Sequence, residues 1–232
     1  MIEISDTWRS THPGAALGVL TMRDVQPQED YAQFNQKKNA MEDELRERYQ
    51  GKDRSEILKV PEMHAYAFYY KRFKKTYHLL LQLESIVYKN KSIPQGPVLV
   101  QAMFMAELNS LLLTAGHDLD QTRGQISLDS SNGEEAYTLL RNEEVTCKSG
   151  DMVMSDQQGV FCSVIYGQDL RTRITKDTKN VLYAVYVPSG IDAEVIEKHL
   201  SDLEGNVHLI SPEAETEFSH IYFADSANPT AS

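Results

Sequence analysis

The sequence predicts a fold of the α+β class, with helices in the first half of the chain and strands in the second. Up to about residue 113, apolar and aromatic side chains recur every three or four positions, as on the buried face of a helix. Beyond residue 116, short β-like runs alternate with Asn-Gly, Ser-Gly-Asp and Gln-Gln-Gly turns. With 232 residues and 41% hydrophobic composition, the chain can fill a sizeable core. We interpret the change from helices to strands as a change of layer within one domain, residues 1–225.

The first predicted elements are a strand and an amphipathic helix. The apolar run 15–22 follows His-Pro-Gly and has the length of a buried strand. Pro27 stands where a helix can begin, and one apolar face continues through the charged segment that follows, to about Gly51. Residues 53–60 predict a short helical turn or a loop, which Pro61 ends.

The next helices carry much of the predicted core. A stripe with helical spacing follows Pro61 and should face inward: Tyr66, Tyr69, Tyr70, Phe73 and Tyr77. A similar period continues over residues 79–87, and Pro97 opens a helix that is apolar on nearly all sides from 98 to 113, as a central helix is. Glu107 and Asn109 interrupt this apolar run, so we expect no membrane span.

Four cations interleave with the aromatic stripe: Lys71, Arg72, Lys74 and Lys75. Such a mixture can bind a single nucleic-acid strand by stacking and charge. Because the aromatic rings share one helical face and the cations the other, core packing with a solvated basic face is the favoured interpretation.

The second half predicts strands at 125–128, 152–155, 160–165 and 181–187. Residues 191–203 predict a further helix that ends at Gly205, with a strand-like run at 207–210. The chain then becomes acidic and finally rich in Ser, Ala and Pro. We therefore predict that residues 226–232 form a disordered tail.

The net charge of -11 opposes nonspecific binding to a polyanion, so we expect no DNA partner. It is compatible with a local contact, such as an RNA end held by a small basic rim. The best candidate is the polar loop 169–180, whose cations are Arg171, Arg173, Lys176 and Lys179. A solvated connection between two strands is the alternative for this loop.

Generic catalytic motifs are absent: the sequence has no dinucleotide, P-loop or nucleophile-elbow pattern. His117, Asp118 and Asp120 can in principle bind a metal or act as an acid/base pair, but no second ligand set has zinc spacing. A turn or cap role is the default for the aspartates, and we expect no metal and no cofactor. Cys147 and Cys162 form no CxxC pair and no basic signal segment opens the chain, which favours reduced thiols in a cytoplasmic protein.

An ordered series of short motifs between about residues 74 and 203 resembles one known family. The motifs are Lys89-x-Lys-Ser-Ile-Pro, Ala115-Gly-His-Asp-Leu-Asp, Gly124-Gln-Ile-Ser-Leu, Gly150-Asp-Met-Val-Met-Ser-Asp, Ile165-Tyr-Gly and Thr178-Lys-Asn-Val-Leu. They are similar to the editing and tRNA-binding domain of the phenylalanyl-tRNA synthetase beta subunit, in its stand-alone form. The resemblance implies a three-layer arrangement of two β-sheets and a helical layer, with an N-terminal extension (1–60) before an editing-domain-like core (61–210).

The resemblance also implies a pocket and its residues. The synthetase domain hydrolyses mischarged tyrosyl-tRNA, and Gly167 matches its pocket glycine. His117 corresponds to the loop histidine and is the catalytic candidate, while Thr178 and Asn180 match the polar lead into the pocket strand. Ala184 replaces the family glutamate that recognises the tyrosine hydroxyl, so tyrosine selectivity is not expected here.

Two functions are compatible with this resemblance. The first is a module that binds an aminoacyl-tRNA or RNA end and acts in trans as an aminoacyl-tRNA deacylase. The second is a non-catalytic binding domain for a small aminoacyl-like ligand or a protein partner, which the loss of the glutamate favours. A third hypothesis, protein interaction through the aromatic helix, requires its aromatic stripe to be exposed.

Overall fold

The computed structural model describes residues 2–28 and 30–226, so the predicted tail lies, from residue 227 onward, outside the described residues. The helices are α1 (Asp6–Thr11), α2 (Ala32–Arg48), α3 (Arg54–Ile57), α4 (Pro61–Lys71), α5 (His78–Lys89), α6 (Val98–Ser110) and α7 (Ala193–His208). The strands are β1 (Glu3–Ile4), β2 (Ala16–Arg23), β3 (Thr114–Asp118), β4 (Ser127–Ser130), β5 (Ala136–Thr138), β6 (Glu144–Thr146), β7 (Met152–Asp156), β8 (Gly159–Ser163), β9 (Gly167–Gln168), β10 (Val181–Val187) and β11 (Glu215–Phe223).

The strands form two main sheets that stack beneath a layer of helices. One sheet has the order β1-β4-β7-β8-β9, the other has the order β11-β2-β10-β3, and β5 pairs with β6. The second sheet is the middle layer. On one face, Gly18 lies so close to α7 that a methyl group on it would stand 3.1 Å from Ile196. On the other face, the His117 ring meets Phe161 of β8 at 4.8 Å between centroids. The α+β fold with two sheets and a helical layer is therefore confirmed.

Most of the helices lie where the apolar period predicts them, and the aromatic stripe faces the core. Tyr66, Tyr69, Tyr70 and Tyr77 are each at most 3% exposed. This burial removes the hypothesis of an exposed aromatic interaction surface, and it shows that the interleaved cations mark a solvated face. No helix in the described part of the chain is long and apolar enough to cross a membrane.

The segment after α6 differs from the sequence prediction. The predicted helix continued to residue 113, with His117 in a turn beyond it, whereas α6 ends at Ser110 and a strand follows. Leu111 adopts the left-handed conformation, with φ of 63°, and terminates the helix. All five residues of β3 are buried, and the strand pairs with β10 so that His117 lies opposite Leu182. A short apolar run can be helix or strand by period alone, and tertiary pairing decides which.

Two predictions at the C-terminus are wrong. Gly205 lies inside α7, which continues to His208, so residues 207–210 are not a strand. The buried positions Leu203 and Val207 continue the helical period across the glycine, and their burial outweighs its low propensity. The sequence prediction also missed β11, because this edge strand is largely exposed and polar. Its pairing with β2 supplies the stabilisation that its composition lacks.

Tyrosine hydroxyls on α4 tie this helix to both sheets. The Tyr66 hydroxyl donates to the carbonyl of Tyr186 at 2.6 Å and accepts from the backbone N–H of Leu113 at 2.9 Å. Two neighbouring hydroxyls reach the other sheet: Tyr69 donates to the Asp151 carboxylate at 2.6 Å, and Tyr70 donates to the carbonyl of Val164 at 2.7 Å.

We expect Tyr66→Phe to destabilise the protein by about 2 kcal/mol, because one buried N–H and one buried C=O lose their partner while the ring still fills its space. Urea unfolding at equilibrium measures the change. The control is Tyr88→Phe. The Tyr88 hydroxyl donates to the carbonyl of Lys52 on the exposed surface, so its removal should destabilise the protein by less than about 0.5 kcal/mol. Equal effects of the two substitutions would contradict this account of α4.

Candidate functional site

A cavity of about 460 Å³ lies between α5, α6, β3 and the turn that joins β8 to β9. Ligand sites for small molecules typically measure about 300–1,000 Å³. Much of its wall is apolar, with contributions from Val100, Met103, Phe104, Leu113, Val164 and Ile165. Tyr183, which would be bulky enough to fill such a space, is not on the wall, and its hydroxyl donates to the carbonyl of Leu99 at 3.1 Å.

A second depression, of about 600 Å³, lies between α2, α4 and α7. Its wall carries charged side chains of both signs, including Arg48, Lys52, Glu62 and Asp202. None of its side chains has a buried polar atom without a partner among the described residues. The cavity between α5 and β9 does have such atoms, and it also contains the predicted pocket glycine, so it is the better candidate.

Gly167 lines this cavity as the first residue of β9. Its φ of +91° lies in the region that favours glycine, while a methyl group there would meet nothing within 4 Å. Backbone conformation, rather than crowding, therefore accounts for a glycine at this position. Its carbonyl accepts from the Tyr137 hydroxyl at 2.6 Å, which holds the turn against the β5 segment.

His117 lies away from the cavity, buried between β3 and β8. Thr172 donates its hydroxyl proton to Asp169, so in the 2.8 Å contact with Thr172 the Nδ1 of His117 is the donor. Burial, together with the charge of Arg171, lowers the pKa of His117 to about 3. The ring is thus a neutral, buried group, and it does not line the cavity.

The other residues suggested by the resemblance also lie outside the cavity wall. Thr178 is buried and donates to Asp118 at 2.7 Å, and the amide of Asn180 donates to the Asp120 carboxylate at 2.9 Å. These bonds fix the loop before β10. Ala184 is buried in β10 opposite Ala115, one strand in from the wall.

The basic loop 169–180 forms a separate, shallow site. Arg171 donates to both carboxylate oxygens of Asp156, at 2.9 and 3.1 Å, and its Nε lies 3.5 Å from Asp169. Arg173 is exposed, and it shares a depression with three acids, Asp118, Asp120 and Asp177. Lys176 and Lys179 are exposed. Because Arg171 is engaged in ion pairs and acids surround Arg173, this loop is a weaker anion site than its composition indicates.

His78 is the imidazole that the structure places on the cavity wall. The Tyr70 hydroxyl uses its proton on Val164, so in the 3.3 Å contact with Tyr70 the Nδ1 of His78 is the donor. The Nε2 of His78 therefore carries the free lone pair. Burial lowers the pKa of His78 to about 4, which keeps the ring neutral at physiological pH.

Glu107 is the acid on the cavity wall. It is 1% exposed, and its Oε1 accepts from the backbone N–H of Thr114 at 2.7 Å. Its Oε2 has no hydrogen-bond partner among the described residues. Burial raises the pKa of Glu107 to about 8, and the Thr114 hydrogen bond only partly opposes this. The carboxyl group is therefore mostly protonated at neutral pH.

Sequence reasoning assigned neither His78 nor Glu107 to the site. One signal pointed to Glu107, because an acid inside a helix that is apolar on nearly all sides has to be buried. His78 gave no such signal, since its place on the wall depends on how α5 packs against β8. Among the described residues, no group of three or more His, Cys, Asp and Glu side chains is arranged to share a metal ion.

Comparison with known proteins gives three findings. Residues 70–201 match the B3/4 domain family. The chain is 32% identical over 69 residues to the phenylalanine–tRNA ligase beta subunit of Mycoplasma pneumoniae, a match that covers 30% of this chain and 9% of that protein. An N-terminal fragment of the phenylalanyl-tRNA synthetase beta subunit from Pyrococcus horikoshii has a TM-score of 0.48 and 12% identity, with 95% of this chain and 53% of that one covered. The chain thus spans only a small part of the ligase subunit.

The buried Glu107 should make stability fall as pH rises. The folded protein keeps this proton up to a pKa of about 8, whereas the unfolded chain releases it near the ordinary glutamate pKa of 4.5. Between these values the folded state binds more protons, so raising the pH favours unfolding.

We expect Glu107→Gln, which keeps an acceptor for Thr114, to gain up to about 4 kcal/mol in free energy of unfolding relative to the wild type as the pH rises from 5 to 8. Urea unfolding across this range measures it. The exposed control Glu134→Gln should follow the wild-type profile, and parallel profiles for all three proteins would contradict the prediction.

Proposed function

The chain belongs to the B3/4 domain family, and we propose from this premise that it binds the aminoacylated end of a tRNA, with the aminoacyl group in the cavity beside Gly167. The observation that carries the proposal is the cavity itself: it is open, about 460 Å³ in volume, and Gly167 lies on its wall. Such a substrate places the protein in the cytoplasm, in agreement with two buried free thiols, Cys147 and Cys162.

Two cations stand at this cavity and suit the phosphates of an RNA end. Lys75 is exposed, and its Nζ lies 4.4 Å from the ring centroid of Tyr166, a wall residue. Arg141 is itself on the wall, and its side chain is 65% exposed; within residues 2–28 and 30–226, its ion-pair partner is the exposed Glu143. An exposed pair of this kind contributes little and gives way to a phosphate. These two cations therefore provide the local basic rim that an acidic protein requires.

We expect the double substitution Lys75→Ala and Arg141→Ala to weaken binding of a charged tRNA about tenfold at low salt and to flatten its salt dependence, because two phosphate contacts are lost. Filter binding across a salt series measures both. The matched variant removes the same charge from the basic loop, by Arg173→Ala and Lys176→Ala, and should bind nearly as the wild type does. If the loop pair weakens binding and the rim pair does not, the phosphates lie on the loop and this assignment is wrong.

We further propose that the module hydrolyses a mischarged ester in trans. The neutral Nε2 of His78 accepts a hydrogen bond from water and orients it towards the ester carbonyl. Backbone N–H groups near Gly167 stabilise the developing oxyanion. A histidine with a pKa of about 4 is a weak base at neutral pH. Assistance by the neighbouring hydroxyl of the tRNA therefore fits this site better than a catalytic triad.

His78→Ala should lower the deacylation rate about a hundredfold while leaving tRNA binding within a factor of two or so, because the residue orients water and contacts no phosphate. At saturating charged tRNA, protonation of His78 should not change the wild-type rate between pH 6 and pH 8, since that ring stays neutral there, and the rate should fall as the pH approaches 4. Release of labelled amino acid from a panel of aminoacyl-tRNAs measures the rates, with the exposed His64→Ala as control. If the folded wild-type protein binds tRNA but deacylates it no faster than the uncatalysed background, the catalytic proposal is wrong. The second candidate, a non-catalytic binding domain, which the loss of the family glutamate at Ala184 favours, would then stand.

A further inference from the structure

We propose that the cavity recognises a primary ammonium group, with the Glu107 carboxylate as its counter-ion and Gln82 and Tyr186 as further acceptors. The inference rests on the proposed function, because both place the ligand in the same cavity. It adds the chemical class of the group that enters it. RNA is not needed for this recognition.

The first observation is the isolation of the Glu107 carboxyl group. Its Oε2 is the only buried carboxylate oxygen without a hydrogen-bond partner among residues 2–28 and 30–226. Other buried acids are satisfied: Glu42 pairs with Arg46 and accepts from the N–H of Ile93, and Asp151 accepts from Tyr69 and Ser163. Buried acids are normally paired, so the missing partner of Glu107 points to a ligand.

The second observation is the set of acceptors on the same wall. The Oε1 of Gln82 is buried without a partner in the described chain. The Tyr186 hydroxyl has no hydrogen-bond partner in the described chain apart from the thiol of Cys162, a weak hydrogen-bonding group. With Glu107, this makes three polar groups that can accept a proton donor. An ammonium group brings three donors and a positive charge, whereas a hydroxyl brings one donor and no charge. The ammonium group therefore satisfies the wall more fully.

The third observation concerns charge. No Lys or Arg in the described chain forms an ion pair with Glu107, and the one cation on the wall, Arg141, pairs with Glu143. Without a counter-ion from the chain, the Glu107 carboxyl group is mostly protonated at neutral pH. An entering ammonium group stabilises the ionised carboxylate, so the carboxyl proton leaves to solvent and a buried ion pair forms.

Glu107 changes its charge between pH 6 and pH 8, whereas the described groups that face it do not. Burial lowers the pKa of His78 on α5 to about 4 and raises the pKa of Cys162 on β8 to about 12. Burial also raises the pKa of the tyrosines near Glu107. These are Tyr66 and Tyr70 on α4, Tyr77 before α5 and Tyr186 on β10. Arg141 remains charged throughout. Ammonium binding should therefore tighten about tenfold for each unit by which the pH rises, up to the pKa of Glu107.

The test uses three apolar primary amines of increasing size, butylamine, 2-phenylethylamine and tryptamine, each against the alcohol with the same carbon skeleton. Isothermal titration calorimetry at pH 6, 7 and 8 gives affinities and, from buffers of different ionisation enthalpy, the number of protons released. We expect at least one amine to bind ten- to a hundredfold more tightly than its alcohol, with close to one proton released at pH 6 to 7.

Glu107→Gln should abolish the preference for the amine, the pH dependence and the proton release together. Glu134→Gln, which removes the same charge from the exposed surface, should change none of them. Circular dichroism and urea unfolding check that both variants are folded, and Gln82→Met provides a second variant that should weaken amine binding without removing its pH dependence.

The inference is overturned if no amine binds more tightly than its alcohol, or if affinity does not rise with pH, or if Glu107→Gln keeps the preference. These outcomes are separate from those for RNA. Charged tRNA that binds while the amines fail removes only this inference. Amines that bind with the predicted pH dependence, in a protein that ignores charged tRNA, keep the inference and remove the proposed function.

Discussion

The rest of the structure depends on the buried connection between α6 and β3. A connection in the interior has to find hydrogen bonds for its backbone without water. Here four consecutive N–H groups do so: Leu111 donates to the carbonyl of Glu107, Leu112 to the Ser110 hydroxyl, Leu113 to the Tyr66 hydroxyl and Thr114 to the Glu107 carboxyl group. Side chains from α4 and α6 thus place the edge strand β3, and with it one wall of the cavity.

Glu107 has two roles that explain why an acid is tolerated in a central helix. One carboxyl oxygen completes the hydrogen bonding of the α6–β3 connection, while the other is left on the cavity wall. An apolar residue at this position would leave the N–H of Thr114 buried and unpaired, which is costly. The raised pKa of Glu107 is a consequence of this burial. Fold and site therefore share a residue, and a ligand that ionises it acts directly on the structural connection.

The proposed binding of an RNA end by an acidic protein depends on local charge at the cavity. The net charge of -11 opposes approach of a polyanion to most of the surface. Lys75 and Arg141 concentrate positive charge at one opening, close to the aromatic ring of Tyr166. The basic loop 169–180 is more conspicuous in the sequence, but Arg171 there is held by Asp156. A cation that a buried carboxylate holds, as Asp156 holds Arg171, is less available to a phosphate than Arg141, whose partner Glu143 is exposed.

The sequence by itself determined the helical first half, the buried aromatic stripe and the family, because these depend on local periodicity and on short motifs. Gly167 also came from the sequence, since a motif identifies it. Tertiary structure alone decided that β3 is a strand, that β11 joins the middle sheet, and that α7 continues through Gly205. It also decided that His78, and not the predicted His117, lies on the cavity wall. Strand pairing and the sharing of protons between side chains join residues far apart in the chain, and no local pattern records which partner will be found.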